Sequence, residues 1–505
     1  MPRSIEKLAP PRCARLRALA IMLLRGAIPR AFSIAIAAAF AGAACGGAPP
    51  TRERPREVIL RSEDVDRRVG EETAQDVDAE LGLIQDPTLV GYVAEVGARL
   101  ARHAPSRRFD YTFQVVDQDL PNAFALPGGY IFVSRGLLAL ANTEDELANV
   151  LGHEIVHVYA RHAAARQQVA SSLPAKLDWL QGAYLARYGR DQESEADRLG
   201  QDLAATAGYD PNGLVVFLRE LGHTERLRLG ASRLPGFWDT HPSTNTRVAE
   251  AGARANMTAW KRGEAIAATR EEYLRRIDGI ATGVRAAEGV FIEDRFMHAD
   301  LDLYVRFPQG WETANTHRAV GAISPRKDAQ IFLEMQGPGT DLMRAAGEYV
   351  AELADSGFRL EGTRPLRIGE LAALRAEGQF VSPAGSLTAV FTWLERGGSI
   401  YRFTAVAPAN AFRLYTGVFL NVPRSFRALE PHERAQIQEN RLRIAVARGG
   451  ETLVELSART DNRWDIQHTA VMNDVFADHV LEDGQLVKIA VAEDYQPEAD
   501  AAPGE

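Results

Sequence analysis

Cysteine is nearly absent from this chain of 505 residues: Cys13 and Cys45 are its only two. Both lie at or before a stretch that reads as a cleavage junction, so the body that follows has no thiol for a disulfide, a Cys-ligated metal or a cysteine nucleophile. Any catalysis falls to metal, hydroxyl or carboxylate chemistry. Beyond residue 44 there is no apolar run of about eighteen residues, which excludes a membrane-spanning helix there. Positive charge is also in short supply. The formal net charge is −9, and residues 1–44 carry most of the local basic excess, so the remainder is more acidic still. That argues against a nucleic-acid partner and gives little attraction to anionic lipid. Histidine is scarce too, with 11 in the whole chain.

Two of those histidines stand close together in Leu147–His162, LANVLGHEIVHVYARH, where His153, Glu154 and His157 spell H-E-x-x-H. On a helix, histidines four apart share a face and can hold one ion. Glu154 points about a quarter-turn away and can instead reach a water on that ion. This is the zinc-protease arrangement of two imidazole ligands and a general base. Helices with merely solvated or packed histidines carry the same short motif by chance. The helix itself is well signalled. Thr143 and Glu146 fit a capping box. Leu147, Val150, Leu151 and Ile155 recur at helical spacing, with Val158 beside them.

A third ligand is needed. The H-E-x-x-H-x-x-G-x-x-H class is excluded, because Ala160 and Ala163 stand where its Gly and His belong. His162 is one position off and reads as structural. A short-spaced glutamate would fall where Lys176 and Leu177 stand. The next acidic cluster is residues 192–198, in a second helical stretch. There Glu193 and Asp197 share a face while Glu195 points elsewhere. Two acids on one face suit a ligand and a carboxylate that orients a ligand histidine. A solvated acidic face with i,i+4 partners is the other reading.

Asn122-Ala-Phe-Ala-Leu-Pro-Gly-Gly, Thr143-Glu-Asp-Glu-Leu-Ala, His153-Glu-Ile-Val-His-Val, Glu193-Ser-Glu-Ala-Asp197 and Thr240-His241-Pro242 follow one another in that order. Over roughly residues 60–255 this resembles the zinc metallopeptidase family that includes the HtpX heat-shock protease, the CAAX prenyl endopeptidase, mitochondrial Oma and periplasmic BepA. The resemblance, of the gluzincin, periplasmic BepA-like type, implies one Zn2+ per chain on His153, His157 and Glu193. It implies Glu154 as base and Asp197 behind the ligands. His241 and Arg247 match the family's Thr-His-Pro segment and the arginine six residues on. The segment at Asn122 and Ala123 is implied to be an edge strand along the cleft, where an extended peptide pairs with free backbone groups. With Pro127-Gly128-Gly129 nearby, an ordinary turn is the alternative.

The expected fold class is α+β. A mainly helical zincin-type metalloprotease domain with a small sheet spans 61–285. An α/β sandwich-like domain of unassigned role, similar to PsbP, spans 290–430. A small βααβ unit resembling a LysM module spans 441–492, and an acidic disordered tail fills 493–505. Arg396-Gly397-Gly398 marks a hairpin between Leu387–Leu394 and Ser399–Ala405. Trp464–His468 departs from the LysM pattern, so a degenerate packing module and a peptidoglycan binder stand equally. His298 and His317 read as structural, and Leu173–Tyr188 as a flap by position alone. Residues 1–44 read as a signal peptide, Met22 giving a start of more ordinary proportions, and residues 45–60 as a linker. Ala43-Ala44-Cys45-Gly46 resembles a lipoprotein signal, which would anchor Cys45 in the outer membrane. Gly42 stands where such signals prefer Leu, so plain Ala-x-Ala cleavage is the alternative.

These readings describe a periplasmic zinc endopeptidase acting on misfolded, unfolded or misassembled envelope polypeptides, with the substrate class implied by the family alone. Glu154 takes a proton from water and returns it to the leaving amine. His241 or Arg247 donates to the developing oxyanion. Alternatively, His241 swings in as a fourth ligand and holds the enzyme latent, as the resemblance to BepA implies. The rivals are a non-catalytic chaperone or scaffold with a structural zinc, and a peptidoglycan-binding protein.

Overall fold

The computed structural model describes residues 62–105, 109–162, 189–227, 237, 241, 245–316, 319–354, 358–382 and 385–496. The leader, the linker, the Leu173–Tyr188 flap and His317 lie outside these residues. The chain is α+β, and its described residues form two compact units. One comprises 310–313 and 321–424, and the other the remainder.

The larger unit opens with α1 (Glu63–Leu81) and α2 (Pro87–Ala101). Asp86 caps α2 through Thr88 and Leu89, and Pro87 fills its first turn, where no amide partner is missed. Three short strands follow, β1 (Thr112–Val116), β2 (Ala123–Ala125) and β3 (Tyr130–Ser134). They are ordered β1-β3-β2, with β3 parallel to β1 and antiparallel to β2, which leaves β2 at an edge. Helices α3 (Arg135–Leu140), α4 (Glu144–Tyr159), α5 (Arg190–Thr206), α6 (Gly213–Leu227), α7 (Asn245–Met257) and α8 (Arg270–Ile277) complete the helical part. A small meander of β4 (Val290–Ile292), β5 (Arg295–His298) and β6 (Leu303–Arg306) comes next.

Helix α4 is the axis of this unit and is buried from Glu146 through Val158. Leu147, Val150, Leu151, Ile155 and Val158 enter one core with α2, α6 and α8. Its start is fixed as the capping box predicts. The Thr143 hydroxyl accepts from the Glu146 amide, and Glu146 reaches back to the Thr143 hydroxyl and the Asn142 amide. Glu144 adds a second anchor. Its buried carboxylate accepts from the Tyr92 and Tyr209 hydroxyls at 3.1 Å each and from the Ile266 and Ala267 amides. A negative group in this first turn also suits the helix dipole.

Helix α6 begins later than Pro211. Asp210 accepts from the Asn212 amide, and Gly213, the first helical residue, bonds the Asp210 carbonyl. Glycine is required there, since a Cβ at position 213 would lie 2.5 Å from the Asp145 carbonyl oxygen.

The smaller unit is built on a sheet of β7 (Glu312–Asn315), β8 (Ala319–Ile323), β9 (Gln330–Pro338), β10 (Phe358–Ile368), β11 (Leu371–Ser382), β12 (Gly385–Arg396) and β13 (Ser399–Pro408), ordered β10-β11-β12-β13-β9-β8-β7. Strands β12 and β13 pair antiparallel across Gly397-Gly398, both at positive φ, as the hairpin signal predicts. Helix α9 (Leu342–Ala354) packs Ala346, Tyr349 and Leu353 onto Leu374, Ala376, Phe391 and Trp393 of one sheet face. Helix α10 (Phe412–Arg424) lies against β12 and β13.

The chain returns to the larger unit with β14 (Gln438–Val446), α11 (Leu453–Thr460), α12 (Ile466–Met472) and β15 (Leu486–Asp494), the strands antiparallel. β15 runs past the expected end of this segment. Glu493 and Asp494 pair with Glu439 and Gln438, and Arg443 holds the Glu493 carboxylate at 2.6 Å, so a tail starting at 493 starts too early. Lys488 of β15 is fully buried, and its Nζ donates to the carbonyls of Ala139, Leu140 and Ala141 at 2.8, 2.9 and 3.0 Å. Those are the open carbonyls at the end of α3, directly before α4. Arg270 adds a bond to the Leu486 carbonyl. No helix among the described residues is long and apolar enough to cross a membrane.

Candidate metal centre

Helix α4 carries His153, Glu154 and His157, and α5 crosses it closely. A Cβ on Gly152 would lie 2.8 Å from the Gly200 carbonyl oxygen, and one on Gly200 would lie 2.8 Å from the His153 amide nitrogen. Only two glycines permit this approach, and it brings the Glu193 end of α5 over the histidines. His241 joins them from beyond α6.

The donor atoms converge. His153 Nε2 lies 3.0 Å from His157 Nε2 and 3.2 Å from His241 Nδ1. Glu193 Oε1 lies 2.9 Å from His241 Nδ1 and 3.5 Å from His157 Nε2. All four residues are buried, and their donor atoms fall within 4.8 Å of one another. Four donors at about 2.0–2.1 Å from a tetrahedral ion sit about 3.3 Å apart, so the set fits a metal.

The outer edges of the rings support the same reading. His153 Nδ1 faces Asp197 Oδ1 at 3.0 Å, and His157 Nδ1 faces His162 Nδ1 at 2.9 Å. A His153 proton held at Asp197 leaves its Nε2 lone pair aimed at the other donors, and a cation relieves that crowding. Arg247 grips Asp197 with Nε and Nη2, each at 2.7 Å, and its Nη1 lies 2.7 Å from Glu193 Oε2. Arg247, expected as a candidate donor to an oxyanion, is thus paired here with the two carboxylates.

Burial acts on His153, His157, Glu193 and Asp197 and is overcome at all but His157. It would lower His153, yet the Asp197 hydrogen bond and the Glu193 and Asp197 charges raise it. It does lower His157. Glu193 and Asp197 would be raised by burial, but the histidines and Arg247 hold both below the usual carboxylate range.

Residues 87–255 match the model of Peptidase family M48. That segment is about a third of the chain, and the likeness to the family is confined to it. The chain is 32% identical over 219 residues to the beta-barrel assembly-enhancing protease of Yersinia pestis, covering 38% of this chain and 44% of that one. It is 32% identical over 200 residues to the protein of the same name from Escherichia coli (strain K12), covering 34% and 40%. The mitochondrial metalloendopeptidase OMA1 of Schizosaccharomyces pombe is 30% identical over 216 residues, covering 39% and 62%. The chain thus spans less than half the length of the two bacterial relatives. Among solved structures, cyanobacterial PsbP from Synechocystis sp. PCC 6803 aligns over 28% of this chain and 96% of its own, at 12% identity and a TM-score of 0.24.

Within the segment that matches the family, the structure brings together His153, His157, Glu193 and His241, with Glu154 beside them: His241 Nε2 is 3.5 Å from Glu154 Oε1. Asn122 and Ala123 are buried at edge strand β2. The Asn122 backbone bonds Ser134 and its side chain bonds Gln118. Sequence reasoning missed three features. Glu195, expected to point away, lies 3.5 Å from His162 Nε2 and so backs His157 through that ring. Phe237 stacks on His241 at 4.4 Å and 18°, and its amide donates to the Pro121 carbonyl at the head of β2. The Gly152–Gly200 contact is the third. Only the H-E-x-x-H-to-His162 spacing carried a readable hint of any of them.

Proposed function

We propose that this chain is a zinc-dependent endopeptidase, and that the form described is its closed state. The carrying observation is the convergence of His153, His157, Glu193 and His241 with Glu154 set against them. His153, His157 and Glu193 would hold the zinc, which supplies Lewis acidity toward water and the peptide carbonyl. The rest of the chemistry belongs to the chain. Glu154 accepts the proton of the attacking water and passes it to the departing amine nitrogen. Asp197, pinned by Arg247, fixes the His153 ring, and His162 with Glu195 does the same for His157. Strand β2, last in the order of its sheet, is the place where an extended substrate would pair once the site opens.

His241 favours the latch over the donor. Its Nδ1 sits among the ligand atoms, and its Nε2 faces the base, so it takes the place of both water and substrate. Substitution separates the readings. His241→Ala raises cleavage of an unfolded protein such as casein if His241 is a latch, and lowers it if His241 donates. Glu154→Gln keeps stoichiometric zinc and loses cleavage by about a thousandfold or more; retained cleavage would overturn the mechanism.

The bacterial relatives are named for enhancing beta-barrel assembly, which supports a role among envelope proteins; action in the periplasm on misfolded or misassembled polypeptides is part of this proposal. Lipid anchoring at Cys45 and glycan binding by residues 441–492 belong to the same proposal. One observation favours a second reading. Four protein ligands with no open position are what a structural zinc site has. A scaffold of that kind leaves His241→Ala as inactive as the parent.

A further inference from the structure

The smaller unit buries two arginines, Arg402 and Arg375, on opposite faces of one sheet, and among the described residues only Arg402 is held in an ion pair. Arg402 of β13 points to the α9 face. Its Nη2 lies 2.5 Å from Glu334 Oε2, Nη1 donates to Gln336 at 2.8 Å, and its guanidinium lies 3.4 Å over the Tyr349 ring. Arg375 of β11 has the opposite parity to Leu374 and Ala376 and so faces the other side. It is only 5% exposed. Its Nε donates to the Thr392 hydroxyl at 3.3 Å, and its Nη2 has no hydrogen-bond partner among the described residues.

The neighbours of Arg375 make its position stranger. Its cross-strand partner on β10 is Arg364, and Arg424 at the end of α10 also acts on it. Burial first, then these two cations, lower its pKa, while Glu377, two residues along the strand, opposes them from a distance. Arg364 and Arg424 are both exposed. A buried, hydrogen-bonding cation beneath two exposed cations is unfavourable unless an anion completes the group.

We infer that Arg375, Arg364 and Arg424 form a binding site for a phosphate group, free or carried on a lipid headgroup. Three guanidinium forks against one carboxylate leave a formal excess of two, which matches the roughly −2 charge of inorganic phosphate or a phosphomonoester and also attracts the single charge of a phosphodiester headgroup. The planar fork of arginine also suits bidentate contact with phosphate oxygens. Arg375 would be the base of the site, oriented by Thr392, and the two exposed arginines its rim. This site lies wholly within the smaller unit and is independent of the peptidase reading.

The test titrates the full chain with inorganic phosphate by calorimetry, with chloride controls at equal ionic strength. One saturable site per chain is expected. Arg375→Met should remove it while raising the melting temperature in phosphate-free buffer, since an uncompensated charge has gone. The Arg364→Ala/Arg424→Ala pair, both surface changes, should weaken binding about tenfold or more. Should Arg375→Met fail to fold, Arg375→Lys keeps the charge, loses the fork and is expected to bind more weakly. Phosphatidylglycerol vesicles, with phosphatidylcholine as control, distinguish the sources: retention on the former that phosphate displaces assigns a headgroup. Absence of both phosphate and vesicle binding overturns the site. So does binding unchanged in Arg375→Met, or a melting temperature that falls in that variant.

Discussion

The metal centre and the sheet of the smaller unit both bury arginine, and they treat it differently. Around the histidines, Arg247 meets two carboxylates, each of which also meets a histidine, so charges of both signs alternate through the group. At Arg375 the near neighbours repeat the same sign. A group of alternating charge holds its members in place without help. A group of one sign is incomplete, and what it lacks indicates what it binds.

The sharpest way to break the comparison is at the helix crossing. Gly200→Val places a branched side chain against the α4 backbone, where even a Cβ is 2.8 Å from the His153 amide. The expected outcome is a chain that no longer retains stoichiometric zinc after dialysis, measured by metal analysis. In the smaller unit, Arg402→Met leaves Glu334 without its partner and should destabilise by about 3 kcal/mol, read by denaturant unfolding. Its counterpart Arg375→Met should move stability the other way, and equal losses at both positions would erase the distinction. The mildest change is Asp197→Asn, which keeps the shape but weakens the hold on His153. Zinc affinity should fall about 10- to 100-fold in a chelator competition, with the fold intact by circular dichroism.

Much of the centre was legible because its signals are local. H-E-x-x-H lies within one helix, Thr143 and Glu146 sit three apart, and Glu193 and Asp197 declare a shared face by spacing alone. The β12–β13 hairpin was equally plain from its two glycines. What escaped depends on residues far apart in the chain. Gly152 and Gly200 are unremarkable until two helices cross on them. Glu195 is on the wrong face of α5 for the zinc but the right one for His162, a ring that α4 presents only after the helix has ended, with Arg161 at a φ of 57°. Arg247 was placed at the site by resemblance, yet its role follows from Asp197 and Glu193 lying side by side. The onset of α6 at Gly213, rather than at Pro211, is set by the tight contact of Gly213 with Asp145, which no local signal shows.

Lys488 changes what shortening this protein can reveal. Cutting the chain before β14 would take away the amine that satisfies three carbonyls directly before α4, along with the strand that Arg270 grips. The remainder would carry open carbonyls directly before α4, and would not be the same domain freed of an accessory. Lost activity after such a cut would therefore say nothing about sugars, whereas point changes on the outer surface of α11 and α12 would.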